Sequence, residues 1–193
     1  MLSFAAPSWN TAVFNARSRK TRQASLIIPR LYLSDAFTAK DEQELAKLKI
    51  THVITIADRS EANIQEHFVN TTQFISSALE ENEDNIVLVH CFQGISRSAT
   101  IVCAYLVAVT TMTPTEALVY VQSKRTVVCP NLGFRNQLEQ WGAQFKDQKK
   151  RGSVVSRTLG GISDRLRELK AAAGAPPSTK KLIIPRQPVG DNI

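Results

Sequence analysis

The sequence predicts an α/β fold in which helices flank a central, mostly parallel sheet. Short runs rich in β-branched residues alternate with segments whose apolar residues recur at helical spacing, which is the pattern of strands connected by helices. The chain has 193 residues, of which 43% are hydrophobic, enough for one globular core. Its net charge of +7 comes from the two ends, because residues 26–148 carry more acidic than basic side chains. We therefore expect one domain at 26–148 between two basic flanks.

The front of the domain predicts strand, helix and strand. Residues 26–34 (LIIPRLYLS) predict one strand, and Pro29 places it at a sheet edge because proline lacks the N–H of a central strand. Residues 35–49 predict a helix of about ten residues. Residues 51–57 (THVITIA) predict a buried strand from their β-branched content.

The middle of the chain predicts helix, strand and helix again. Residues 63–81 form an amphipathic pattern. Its expected inward face consists of Ile64, Phe68, Thr71, Ile75 and Leu79. Residues 85–90 (NIVLVH) predict the next buried strand, which leads directly into Cys91. Residues 98–109 are apolar nearly all round, and this favours a helix in the centre of the domain.

Two more helices complete the predicted domain. Residues 113–125 open with a capping box, in which Thr113 is the cap, Pro114 takes the first helical position and Glu116 reaches back. A turn at 129–134 then leads to the last helix. That helix runs through Gln137, Leu138, Trp141 and Phe145.

Both flanks are predicted to lie outside the folded domain. Residues 1–25 form a basic, disordered arm, and residues 149–193 form a basic, mostly disordered tail rich in proline. A short helix is expected at 163–174, with Ser163 as its cap. The pentapeptide LIIPR occurs twice, at 26–30 and 182–186. The second copy could compete for the edge position of the first, but we favour coincidence.

The composition argues against several classes of function. Three cysteines without paired spacing favour a reducing compartment, so we expect a cytoplasmic or nuclear protein, and the basic flanks permit nuclear import. Scattered histidines argue against a metal site. The acidic balance of 26–148 argues against nucleic-acid binding by the core. No apolar run approaches the roughly 18 residues that a membrane helix needs, and no membrane partner is expected.

The stretch VHCFQGISRS at 89–98 carries the chemistry. A strand, a loop and a helix start present backbone N–H groups and a helix N-terminus to one point, which suits an anion. The five residues between Cys91 and Arg97 can wrap once around a tetrahedral oxyanion, and Arg97 supplies a planar fork for two phosphate oxygens. Gly94 permits a close backbone approach. The expected phosphate-binding residues are Phe92, Gln93, Gly94, Ile95, Ser96 and Arg97.

In this environment we expect the Cys91 thiol to ionise below its usual pKa of about 8.5 and to act as a nucleophile in phosphoryl transfer. Ser98 would donate a hydrogen bond to the sulfur as it leaves, and His90 would orient the loop. The competing interpretation is a small buried cysteine followed by an ordinary helix start. We expect that role for Cys103 instead.

The loop HCFQGISRS resembles the HCxxGxxRS loop of cysteine-dependent phosphatases. Together with LYLSDAF, ITHVI, SATIVCAYL, MTPTEALVYVQSKR and CPNLGFRNQLEQW, it resembles the dual-specificity protein phosphatases over roughly 27–146. The resemblance implies that Cys91 is the nucleophile, Arg97 the phosphate clamp and Ser98 the leaving-group helper. It also implies a phosphoprotein substrate, a phosphocysteine intermediate and no metal or organic cofactor. The absence of a loop lysine favours a phosphoprotein over a phosphoinositide.

Expelling an alkoxide or phenoxide needs a proton donor, and Asp58 is the best candidate. It lies 33 residues before Cys91. The resemblance implies that the acid of the family lies on a loop after a strand and before a helix like the one predicted from residue 63. The alternative is that Asp58 only caps a turn, with Glu61 completing a capping box. Glu61 and Glu66 are poorer candidates for the acid, because Glu66 is expected on a helix surface.

The chain departs from the family pattern just before Asp58. Family members have a strand like ITHVI, then a loop, then a second strand ending at the acid, whereas here ITHVI runs directly into TIAD. We therefore expect a sheet that lacks one edge strand.

Three interpretations follow from this. The first is a phosphatase acting on phosphotyrosine and on phosphoserine or phosphothreonine. The alternative is a weak or inactive phosphate-binding module, like a pseudophosphatase, and a third is an unstable product. The oligomeric state is left open.

Overall fold

A computed structural model describes residues 22–57, 63–150 and 180–185 of the chain, with side chains of the long last helix described through Phe145. Three of the sequence predictions lie outside these residues. They are the arm before residue 22, the position of Asp58 and the short helix at 163–174.

Within this described part of the chain, one five-stranded sheet forms the centre of the domain, in the order β1-β2-β4-β3-β5. All neighbouring strands are parallel except β1, which runs antiparallel to β2. The strands are β1 (Ser25–Ile28), β2 (Leu31–Asp35), β3 (His52–Ile56), β4 (Val87–Cys91) and β5 (Lys180–Ile184). This sheet with its flanking helices confirms the predicted α/β fold class.

The single strand predicted at 26–34 is in fact a hairpin of two strands. Pro29 and Arg30 connect β1 to β2, and Arg30 has φ +66°. Proline followed by a residue with positive φ is the pattern of a type II turn. Arg30 Nη1 also donates to the carbonyls of Leu79 and Asn82, at 2.9 and 3.0 Å, and these bonds help to hold the unusual conformation.

The prediction that the sheet lacks an edge strand is wrong, because β5 occupies the edge beside β3. A single strand does cover the segment before Asp58, as expected, and this leaves the outer edge of β3 open to another segment. The second copy of LIIPR contributes to β5, while the first copy lies in β1 and its turn at the opposite edge. Part of the segment predicted as a mostly disordered tail therefore belongs to the sheet. The domain boundaries themselves stay a prediction.

In the described residues, five α-helices pack around the sheet. They are α1 (Glu42–Lys47), α2 (Phe68–Glu81), α3 (Arg97–Val109), α4 (Pro114–Lys124) and α5 (Leu132–Lys150). The first is shorter than predicted, because a 3₁₀ helix at Thr38–Lys40 precedes it and Asp41 caps it. Within the described residues, no helix combines the length and apolarity needed to cross a bilayer.

Helix α3 lies at the centre of the helical layer, as its apolar sequence predicts. Every side chain from Ser98 to Val107 is buried. The indole N–H of Trp141 in α5 donates to the carbonyl of Ala104 at 3.0 Å and ties the two helices together. The capping box of α4 forms as expected, with reciprocal bonds between Thr113 and Glu116. The packing around α3 therefore fixes the helix and the position of its N-terminus.

Helices α4 and α5 meet at Gly142, and this contact generates a stability prediction. A Cβ at Gly142 would lie 2.4 Å from Cγ of Pro114, whose ring cannot swing away. We expect Gly142→Ala to lose about 1–2 kcal/mol, because so short a contact puts overpacking at the upper end of its usual range, about 2–3 kcal/mol, and this outweighs a helix-propensity gain of about 1 kcal/mol. The melting temperature should fall by roughly 2–8 °C.

Gly133→Ala is the matched control in the same helix. The nearest heavy atom to its Cβ is Asn131 Oδ1 at 3.5 Å, so propensity alone should act and stability should stay equal or rise. A Gly142→Ala protein that melts no lower than the unsubstituted protein would contradict this packing.

Candidate active site

The candidate site lies where β4 ends and α3 begins. Cys91 is the last residue of β4, residues 92–96 form the loop, and Arg97 opens α3. Cys91 is only 3% exposed. Because the carboxyl ends of parallel strands meet at one edge of a sheet, this loop faces the ends of β2 and β3 as well.

The Cys91 sulfur accepts hydrogen bonds from the loop and from the start of α3. The Ser98 hydroxyl donates to Sγ at 3.1 Å, and the Gly94 N–H donates at 3.3 Å. Burial by itself raises the pKa of this thiol, but the Ser98 hydroxyl and backbone, the charge of Arg97 and the Gly94 N–H outweigh it. The pKa of Cys91 is therefore lowered, which favours the thiolate.

Four of the loop carbonyls accept hydrogen bonds from groups outside the loop, and these bonds turn them away from its centre. The bonds are Ala36 N–H to Phe92 O at 3.2 Å, Arg125 Nε to Gly94 O at 2.9 Å, Cys129 N–H to Ile95 O at 2.9 Å and Thr100 N–H to Ser96 O at 2.9 Å. A trans peptide that turns its carbonyl outward turns the next N–H inward. The loop therefore presents backbone N–H groups towards the sulfur, where a phosphate would sit.

Gly94 is required by this arrangement on two grounds. Its φ of +66° lies in the left-handed region that favours glycine. A Cβ there would also lie 2.4 Å from the Ser34 carbonyl of β2. The glycine thus lets the loop turn tightly against the sheet, as the sequence predicted.

The remaining predicted loop residues line the rim. Phe92 and Gln93 are exposed, and Arg97 is partly buried with Nη1 3.5 Å from the Ile56 carbonyl. Ser96 Oγ accepts from the Asn131 N–H at 3.3 Å, which fixes the loop to the start of α5. The exposed ring of Phe37 lies beside that of Phe92, with centroids 6.2 Å apart. The structure therefore brings the predicted loop residues together around one sulfur.

Arg125 is a site residue that the sequence reasoning missed. It is 3% exposed, and besides Gly94 O it reaches the Gln23 carbonyl at 2.8 Å and Ser25 Oγ at 3.2 Å. Burial lowers the pKa of this guanidinium, and nearby Asp35 and Cys91 oppose that change. A Lys-Arg pair at a helix end looks like ordinary solvated charge, so no local signal pointed to it.

His90 and Asp35 are buried beside the nucleophile. His90 Nε2 lies 2.8 Å from Thr55 Oγ1, and burial lowers the pKa of the imidazole, so the neutral ring is favoured. Asp35 is paired in register with Cys91 across β2 and β4, and its Oδ1 accepts from the Thr38 N–H at 2.7 Å. His90 thus links β4 to β3, consistent with the orienting role that we expected.

The other two cysteines differ in burial, and the best candidate acid is not described. Cys103 is fully buried in α3, and burial raises the pKa of its thiol to about 12, which makes it an inert core residue. Cys129 is exposed and unbridged. Asp58 and Glu61 lie outside the described residues, so the assignment of the acid stays a prediction.

Removing the Ser98 hydroxyl should raise the pKa of Cys91, because the thiolate loses its side-chain donor. We expect Ser98→Ala to shift the pH profile of Cys91 alkylation by iodoacetamide to higher pH and to slow alkylation at pH 7. The measurement uses a Cys129→Ser background, since Cys129 is the other accessible thiol in the described residues. An unchanged profile would mean that Ser98 does not stabilise the sulfur charge.

Arg125→Ala should destabilise the domain and weaken its affinity for inorganic phosphate or vanadate. The substitution leaves the buried Gly94 carbonyl and the part-buried Gln23 carbonyl without the donors that Arg125 supplies, which we expect to cost about 2–4 kcal/mol. Arg135→Ala is the control, because Arg135 is exposed and bonds to the Pro130 carbonyl and to Cys129 Sγ just before α5, and it should change stability by less than about 1 kcal/mol. Equal effects of the two substitutions on anion affinity would argue against the role of Arg125.

The comparisons with known proteins agree with this geometry. Residues 32–144 match the family described as dual specificity phosphatase, catalytic domain. Dual specificity protein phosphatase 15 of Mus musculus is 40% identical over 134 residues, which cover 60% of this chain and 56% of that protein. Dual specificity protein phosphatase 22-B of Danio rerio is 35% identical over 133 residues, which cover 60% of this chain and 72% of that protein.

Solved structures give the same result. The crystal structure of DUSP15 matches with a TM-score of 0.60 and 31% identity, covering 78% of this chain and 97% of that chain. The chain spans little more than half the length, 56%, of its phosphatase 15 relative from mouse. The matched domain, the shared fold and the cysteine loop lead to one conclusion. This chain belongs to the dual specificity phosphatase family.

Proposed function

We propose that the domain hydrolyses phosphate esters of phosphotyrosine and of phosphoserine or phosphothreonine in proteins. One observation carries the proposal. The buried Cys91 sulfur accepts bonds from Ser98 Oγ and Gly94 N–H at the centre of a loop whose carbonyls are turned away. A thiolate surrounded by N–H groups and an arginine suits attack on a phosphorus atom that carries negative oxygens.

In the first step, the Cys91 thiolate attacks phosphorus and the P–O bond to the substrate side chain breaks. The bond electrons leave with the substrate oxygen, which takes a proton from the acid. The loop N–H groups and the Arg97 guanidinium hold the equatorial phosphate oxygens as charge develops on them. The product of this step is a phosphocysteine.

In the second step, water attacks phosphorus and gives a proton to the carboxylate that the acid became in the first step, while the S–P bond breaks. Inorganic phosphate is released, and the electron pair returns to sulfur. The Ser98 hydroxyl at 3.1 Å stabilises the departing thiolate, because it already bonds to that atom. His90 is favoured in its neutral form and takes no part in proton transfer in this proposal.

Asp58 is proposed as the acid of the first step. It follows Ala57, the last described residue after β3, which itself ends at Ile56. A carboxylic acid in this role contributes about 10²–10⁴-fold to the rate, most for a substrate with a poor leaving group.

The test compares an activated aryl phosphate with a phosphothreonine peptide, both in the presence and absence of vanadate. We expect Cys91→Ser to abolish both activities. Asp58→Asn should lower turnover of the peptide by about 10²–10⁴-fold and that of the aryl phosphate much less, because threonine alkoxide needs protonation to leave. Asp84→Asn, at an exposed position between α2 and β4, is the matched control and should change neither rate.

The outcomes separate the enzyme from the phosphate-binding module. Hydrolysis of the aryl phosphate alone, unaffected by Asp58→Asn, would leave Cys91 as the nucleophile but remove Asp58 as the acid. A folded protein that binds vanadate and turns over neither substrate would contradict the proposal and favour the binding module.

We also propose that this activity operates in the cytoplasm or nucleus. The chemistry needs a reduced Cys91, and all three cysteines are unbridged in the structure. Compartments that keep thiols reduced fit this requirement. Imaging of the tagged full chain tests it, and a secreted protein would contradict it.

A further inference from the structure

The outer edge of β3 is filled by a strand from far along the chain. Residues 52–56 of β3 pair in parallel with residues 180–184 of β5, from His52 opposite Lys180 to Ile56 opposite Ile184. Backbone bonds of 3.0 Å close both ends of the pair, from Lys180 N–H to Thr51 O and from Ala57 N–H to Ile184 O. This strand lies outside residues 32–144, the part of the chain that matches the family.

The side chains of β5 fit the edge of β3. Ile184 is 5% exposed within the main core, and Leu182 packs against the same cluster. Lys180 Nζ lies 2.9 and 3.0 Å from the two carboxylate oxygens of Glu81 at the end of α2. Ile183 points the other way and is 60% exposed. An extended segment with two inward apolar residues and a leading lysine therefore fits this edge.

The backbone bonds follow the same alternation. The N–H of Lys180 and the carbonyl of Ile184 face β3, so the period of two puts the Leu182 N–H on β3 and the Ile183 N–H on the solvent side. On β3, the Ala57 N–H faces β5 whereas the His52 N–H donates to Ile86 at 3.1 Å. The amides of Val53 and Thr55 thus face β5, and those of Ile54 and Ile56 face β4.

This edge is connected to the candidate active site at its carboxyl end. Ile184 holds Ala57, and the neighbouring Ile56 carbonyl lies 3.5 Å from Nη1 of Arg97. The strand that covers the edge therefore fixes the backbone against which the phosphate-binding arginine lies.

We propose that the β3 edge is a peptide-binding site, which the chain fills with its own tail segment KKLII (residues 180–184) by intramolecular strand addition. Docking of this segment sets the end of β3 and with it the position of Arg97. The identical segment, supplied as a free peptide, binds the same edge when the tail strand is prevented from docking. Only the activity readout below rests on the proposed phosphatase function, and the binding readouts do not.

The first test is amide hydrogen exchange by NMR on the unsubstituted full chain. We expect slow exchange at Leu182 and Ile184 and fast exchange at Lys181 and Ile183, because only the first pair donates to β3. Uniformly fast exchange over these four residues would overturn the proposal. The pattern should persist on dilution with a monomeric sedimentation profile, and a dimer that loses it on dilution would refute intramolecular docking.

The second test uses two proline substitutions, one at an inward position of β5 and one at an outward position. Leu182→Pro removes an N–H that faces β3, whereas Ile183→Pro removes one that faces solvent. We expect Leu182→Pro to speed exchange at Val53, Thr55 and Ala57 by about tenfold or more, while the amides facing β4 stay protected. Ile183→Pro should leave both sets protected, and equal effects of the two prolines would contradict the proposed strand.

The third test adds a fluorescent peptide of residues 180–186 to the full-length Leu182→Pro protein. Saturable binding is expected, with weaker binding to the unsubstituted chain because its edge is occupied. A peptide N-methylated at Leu182 should not bind, and one N-methylated at Ile183 should bind normally, since each keeps its side chains. If Leu182→Pro leaves the whole domain unfolded, the exchange pattern of the unsubstituted chain decides whether the segment docks on β3.

The activity readout tests the connection to Arg97. Hydrolysis of the aryl phosphate by Leu182→Pro should fall relative to Ile183→Pro, and the peptide should restore it. Restored exchange protection without restored hydrolysis would show that docking of the segment does not set the position of Arg97. If no variant, including the unsubstituted chain, hydrolyses the substrate, the proposed function fails, and vanadate affinity compared between the two proline variants then tests the same connection.

Discussion

Burying an ionised sulfur is costly in free energy, and the candidate site depends on how the chain offsets that cost at Cys91. Burial opposes ionisation, and it is outweighed by short-range donors and charge supplied by Ser98, Gly94 and Arg97. These groups lie within seven residues of the sulfur, so one strand end, one turn and one helix start provide them all. A neutral Cys91 would leave the loop as a holder of anions, whereas an ionised one makes it a nucleophile.

The donors can serve the sulfur only if the loop keeps its shape, and distant segments impose that shape. Outward carbonyls are held by the end of β2, by Arg125 after α4 and by the backbone before α5. Backbone N–H groups crowded towards one point repel each other, and the outer bonds resist the relaxation that would turn them away. The buried, central α3 then fixes the last donors. Specificity for an anion is thus a property of the whole helical layer.

What could be predicted from the sequence was the part encoded locally. The strand, glycine turn and helix start of the loop fall within ten residues, and their spacing alone indicated Cys91, Gly94, Arg97 and Ser98. The hairpin at Pro29 was missed because its positive φ falls on an arginine, a residue that gives no such signal. Arg125 and β5 were missed for another reason. Their environments are made by residues far away in the chain, and periodicity carries no information about which edge or loop a distant segment will meet. The position of Asp58 remains a prediction, because that residue is outside the described part of the chain.

The parallel pairing of β3 with β5 has a consequence for the order in which the protein is made. The ribosome synthesises β3 early and β5 only after residues 57–179, so the edge of β3 stays uncovered in the nascent chain for a period on the order of ten seconds at about 5–20 residues per second. An uncovered edge of Val, Ile and Thr is a template for pairing with other chains. Polysomes that make this protein would therefore bring many such edges close together. We expect the nascent chain to need chaperones until β5 has emerged.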